Sequence, residues 1–187
     1  VYGLHLGVMA MRSDLNERLP NQAHFFNKHY PTARFTPAGP DHAQIASVNG
    51  VIDYFETVYN HHFGTQEVSA VSKTNKVRAL FQHAERRNLQ PLLDFLSQHK
   101  SVRLIGKNIT KKRAPTVSFT VEGRDPQEIA KALAQRKIGI GNGHCYAYRL
   151  IEALGIPLDR GVVRTSHVHY THQDEVKRLI KALDEVL

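Results

Sequence analysis

Apolar residues fall on helix-spaced stripes in the first half of this chain and alternate with polar ones in much of the second. The run at residues 4–11 (Leu-His-Leu-Gly-Val-Met-Ala-Met) predicts a short buried strand. Pro20, Pro31, Pro37 and Pro40 then break up any regular structure. A helix over 43–60 follows, because Ile45, Val48, Ile52, Phe55 and Tyr59 recur at spacings of three and four, with Asp41 placed as its N-cap. A second helix over 66–87 gathers Val77, Leu80, Phe81 and Ala84. A third, over 89–98, gathers Leu89, Leu92, Leu93 and Leu96, with Pro91 in its first turn, where a missing N–H costs nothing.

From about residue 101 the texture changes. Residues 102–105 read as a strand, and residues 115–121 alternate, with Val117, Phe119 and Val121 on one face. Asp125-Pro126-Gln127-Glu128 is a helix start, running to about Arg136. A brief strand at 138–140, a helix at 146–154 and a strand at 161–170 come next. Thr171 and Asp174 resemble a capping box for a last helix that buries Val176, Leu179, Ile180, Leu183 and Val186. The pattern predicts an α/β to α+β protein of two parts, residues 1–99 and 100–187, the second reading β-β-α-β-α-β-α.

Composition narrows the classes. The chain has 187 residues, 41% hydrophobic and 22% charged, which excludes wholesale disorder. No apolar run is long enough to span a bilayer as a helix, so a membrane partner is not expected. The single cysteine excludes an internal disulfide framework and fits a reducing, cytoplasmic setting. A formal charge of +8 permits nucleic-acid binding. The one basic cluster, Lys107, Lys111, Lys112 and Arg113, lacks interleaved aromatics for stacking, so a nucleic-acid partner is not the expectation.

Two segments carry candidate chemistry. In Gly139-Ile-Gly-Asn-Gly-His-Cys145, alternate glycines allow a sharp turn and close approach to a ligand, and the turn presents His144 and Cys145. In Gly161-Val-Val-Arg-Thr-Ser-His-Val-His-Tyr170, alternation puts Arg164 beside Val162, Ser166 and Val168. An arginine there calls for a bidentate carboxylate, either a substrate's or an internal acid's, and on local grounds an internal salt bridge is favoured. His167 and His169 point the other way. With His144 and Cys145 they could in principle chelate zinc, but the reading expects no metal.

Together these segments resemble class V pyridoxal-phosphate aminotransferases of the cysteine desulfurase and selenocysteine lyase-like branch, in their C-terminal portion. The opening Val1-Tyr-Gly-Leu-His-Leu-Gly-Val is similar to K-x-Y-G-P-H-x-G, with Leu4 in place of the proline. Arg34-Phe-Thr-Pro-Ala-Gly-Pro-Asp is similar to R-[FL]-x-x-G-T-P-N, Gly143-His-Cys to the G-H-H-C loop, and the stretch from Val163 to Val176 to V-R-x-S-x-x-x-Y-N-T-x-E-E-V.

The resemblance implies a fold-type-I arrangement. Residues 1–99 would be the end of the large cofactor domain and residues 100–187 the small C-terminal domain. It implies an amino-acid substrate whose carboxylate Arg164 grips, with His144 also at the substrate and Cys145 as a sulfur acceptor. It also implies a homodimer in which Gly39 approaches the pyridoxal-phosphate phosphate of the partner subunit. In that family the Schiff-base lysine immediately precedes the opening segment, so this polypeptide, beginning at Val1, is expected to be inert alone. The alternatives are a non-enzymatic binding or assembly module that kept the fold, and a basic nucleic-acid-binding domain.

Overall fold

The computed structural model describes residues 5–36 and 39–187. The first four residues of the family-like opening, including Leu4, lie outside the described residues, as do Pro37 and Ala38 of the Arg34 motif. The chain divides into two compact units, the first ending at Val77 and the second running from Arg78 to Leu187.

In the first unit, residues 5–11 form no strand. Val8 and Met9 are largely exposed, and no described segment pairs with them, so the expected buried strand is absent. An unpredicted short helix α1 (Ser13–Arg18) follows. Its last carbonyls are capped by Arg34, which donates from Nε to the Asn16 oxygen at 2.7 Å and from a terminal nitrogen to Glu17 at 2.9 Å.

The single helix expected over 43–60 is two, α2 (His42–Ala46) and α3 (Val48–Phe63). Asp41 is the N-cap, accepting from the Gln44 N–H at 3.0 Å. The break comes at Ser47, whose hydroxyl donates to the Gln44 carbonyl at 2.6 Å and competes with the helical ladder. Of the apolar stripe only Tyr59 is buried; Ile45 and Ile52 are exposed. Lys73 and Lys76 lie over the Tyr59 ring, and Lys73 also pairs with Glu56 at 2.7 Å.

The two helices expected over 66–98 are one, α4 (Ala70–Gln98), with Pro91 inside it rather than in a first turn. A proline inside a helix costs about 3 kcal/mol. Leu89, Leu92, Leu93 and Leu96 are each at most 1% exposed, and burying a leucine is worth about 1.5–3 kcal/mol, so four together outweigh the broken ladder. Those leucines pack into the core of the second unit. The compact division therefore falls at Val77/Arg78, some way before the texture change at residue 100.

The second unit follows the expected element order. Strands β1 (Val102–Ile105), β2 (Thr116–Val121), β3 (Gly141–Gly143) and β4 (Val162–Ser166) form an antiparallel sheet in the order β1-β2-β4-β3. Helices α5 (Pro126–Gln135), α6 (Tyr148–Ala153) and α7 (Gln173–Val186) complete it. Val117, Phe119, Val121 and Val163 face a core shared with the α4 leucines, Ile129 and Leu133 of α5, and Leu179 and Leu183 of α7. A smaller cluster of Ile151, Ile156 and Val162 forms separately.

Two local expectations shift. The strand expected at 138–140 lies instead at Gly141–Gly143, inside the glycine-rich segment, because these are the residues that pair with β4. The capping box of α7 sits one residue later than expected. His172 is the N-cap, its ring accepting from the Asp174 N–H at 3.3 Å, while Glu175 accepts from the His172 N–H at 2.7 Å. Thr171 instead accepts from the Val168 N–H at 3.0 Å, closing the turn ahead of the helix.

Candidate functional site

Arg164 sits in the middle of β4, opposite Ser118 of β2 and Gly141 of β3. Its neighbours Val163 and Thr165 turn into the core, which the pleat requires of alternate residues, so Arg164 points to the open face and is exposed. Among the described residues it makes no ion pair. The internal salt bridge that local sequence favoured is therefore absent, and the guanidinium is left with its donors free on the sheet surface.

Gly141 makes room for it. A Cβ at Gly141 would lie 3.4 Å from Arg164 Nε and 3.6 Å from Arg164 Cβ, so the arginine lies along the bare backbone of the neighbouring strand. The glycine run also serves the chain itself. Gly143 forms a bridge with Gly161, and a Cβ on Gly161 would overlap the Gly143 backbone. Of the close approaches expected of this segment, one is to the arginine and one is between two stretches of backbone.

Immediately after β3 the chain turns through Cys145 (φ 49°) and Tyr146 (φ 61°), two successive non-glycine residues in the left-handed region. The His144 ring accepts from the Tyr146 N–H at 3.2 Å and packs edge-on to Tyr148, so it pins the turn from within. The Cys145 thiol is half-buried and donates to the carbonyls of Gly143 and Asn142 at 3.7 and 3.9 Å. Tyr146 stands fully in solvent, with Tyr148 and Leu150 also exposed beside it in sequence.

The structure thus brings Arg164 and Gly141 together, with His144 and Cys145 on the turn that leaves the same strand. Gly39 belongs to the other compact unit. It is exposed, and no heavy atom lies within 4 Å of where its Cβ would be, so no phosphate cradle is built around it among the described residues. By themselves, these residues do not fit a pyridoxal phosphate.

The paired histidines have separate duties. His167 is 5% exposed in the core, where burial holds its pKa below the ordinary value. His169 stacks on Phe81 with ring centroids 3.7 Å apart. Among the described residues no group of three or more His, Cys, Asp or Glu side chains is placed to hold a metal. In the basic cluster, Arg113 donates to the carbonyls of Lys107 and Thr116 and so staples its own loop. No described helix is long and apolar enough to cross a membrane.

A family model described as aminotransferase class-V matches residues 45–179, and the chain belongs to that family. An aminotransferase-like protein, FGM3, of Gibberella zeae is 30% identical over the whole chain and 44% of its own length. A probable cysteine desulfurase of Pseudomonas putida is 28% identical over 84% of the chain and 35% of its own length. Among solved structures, the apo cysteine desulfurase of Thermococcus onnurineus superposes with a TM-score of 0.65, at 24% identity over 83% of this chain and 33% of that one. The Escherichia coli cysteine desulfurase CsdA gives 0.59, at 16% identity over 80% and 31%. The fold is shared with these enzymes, and the chain spans less than half the length of each.

Proposed function

We propose that this chain supplies the substrate-carboxylate grip of a class V pyridoxal-phosphate enzyme acting on an amino acid. Enzymes of this class use pyridoxal phosphate to stabilise the carbanion that forms when a bond at the substrate α-carbon breaks. The observation that carries the proposal is the unpaired Arg164 guanidinium held open along Gly141. A planar fork with free donors matches a carboxylate bidentately, and a strand at the centre of an antiparallel sheet fixes its position. His144 orders the turn beside β3, and Cys145 on that turn is the proposed sulfur acceptor, in keeping with the names of the desulfurase relatives.

The reading is tested by amino-acid turnover in the complete protein that contains this chain, with Arg164→Lys and Arg164→Gln. A charge-assisted bidentate pair is worth about 1.5–3 kcal/mol, so KM for the amino acid should rise by roughly 10- to 150-fold while the melting temperature stays put. A fall in stability with unchanged KM would show that the arginine serves the fold.

A further inference from the structure

A cavity of about 260 Å³ opens between the turn joining α5 to β3, the end of β4 and the first turns of α7. We propose that it binds a small oxyanion of phosphate or sulfate size.

Lys137, Ser166, His167, Thr171, Glu175 and Arg178 line it. Two cations face one carboxylate, which leaves an excess of one positive charge. One oxygen of that carboxylate, Glu175 Oε2, accepts from the His172 N–H in the capping box. Arg178 is fixed in place because one terminal nitrogen donates to the carbonyls of Arg136 at 2.6 Å and Lys137 at 3.1 Å, at the end of α5. Its other donors remain for a ligand. Thr171 uses its oxygen as an acceptor for Val168 N–H, which leaves its own O–H to donate.

His167 can serve a cavity ligand through one ring nitrogen only. It is 5% exposed, and its Nδ1 is sealed from solvent without a hydrogen-bond partner. Nε2, the nitrogen not sealed, becomes a donor when it carries the ring proton, while the sealed Nδ1 stays out of a ligand's reach. Apart from the Glu175 carboxylate, the polar side chains that line the cavity donate, or can.

Lys137 is the fourth feature. It occupies the left-handed position that closes α5 (φ 57°), with its N–H on the Ala134 carbonyl and the next N–H on Leu133. Glycine is the usual occupant of such a position, and a lysine there is held against a backbone preference.

The cavity is distinct from the proposed carboxylate grip, because Arg164 does not line it. The test is calorimetric or NMR titration of the 187-residue chain with sodium phosphate, and in parallel with sulfate and acetate, at constant ionic strength. Phosphate and sulfate should bind saturably with Kd below about 10 mM, acetate more weakly. Lys137→Gly and Lys137→Asn both suit a left-handed turn, so they should fold as well as the parent yet weaken phosphate binding by about 10-fold or more. Arg164→Gln should leave it unchanged. Unsaturable binding, affinity unchanged from the parent in both Lys137 variants, or loss of binding in Arg164→Gln would each overturn the site.

Discussion

Gly161 presses its bare α-carbon against the backbone of Gly143, so the entry to β4 and the exit from β3 are locked together where no side chain fits. Gly161 also has φ 68°. Gly161→Ala should therefore suffer both overlap and backbone strain and lose about 3 kcal/mol of stability. Gly143→Ala has open space around it and only a positive φ to oppose it, so about 1 kcal/mol is expected. Urea unfolding of the two variants checks the difference. Equal losses would mean that strain alone matters.

The space above Gly141 belongs to Arg164. Gly141→Val puts branched carbons where the guanidinium stem lies, at a position with no positive φ to complicate the result. If Arg164 grips the substrate as proposed, KM for the amino acid in the complete protein should rise several-fold with a smaller change in kcat. A change confined to kcat would place the arginine away from ground-state binding.

Cys145 has a thiol, a weak donor, that meets only backbone carbonyls at 3.7–3.9 Å and so adds little to the turn. Cys145→Ala should leave unfolding within about 0.5 kcal/mol of the parent. If this residue accepts sulfur, the variant of the complete protein loses sulfur transfer and keeps amino-acid binding. Undiminished transfer would remove Cys145 from the chemistry.

His167 makes stability depend on pH. Burial lowers its folded pKa, with the Glu175 carboxylate opposing in part, so between that value and the ordinary 6.5 the unfolded chain binds a proton that the folded chain refuses. Its effect on stability is absent above about pH 6.5 and becomes a growing loss as pH falls through the window below. Urea midpoints from pH 7.5 to 5 should decline more steeply in the parent than in His167→Gln. Parallel curves would show that other groups dominate.

The element order of the second unit was legible because its signals are local. Asp125 and Pro126 start α5 as written, with Asp125 accepting from the Gln127 N–H, and the alternation of Val117, Phe119 and Val121 is the buried face of β2. Where the reading slipped, a distant partner decided. Pro91 reads as a helix start until the sheet that buries Leu89 to Leu96 is known. Residues 4–11 read as a buried strand, but burial and pairing are properties of neighbours, and none is described there. Arg164 was found from a motif and its pleat position. Its want of an acid, and the role of Gly141, emerged only from the strand register. Lys137 and Arg178 carry no sequence signal, since one depends on a backbone angle and the other on a contact across 41 residues.

Pro91 has no N–H to offer the carbonyl of Arg87, so α4 is a rod with one rung missing. Water reaches a helix first where a carbonyl lacks its donor. The stretch after that gap is held by three fully buried leucines, Leu92, Leu93 and Leu96, whereas in the stretch before it the anchors are spaced further apart, at Val77 and at Phe81 on His169. On heating, this single helix should come apart as two segments, the earlier one loosening while the leucine face is still seated.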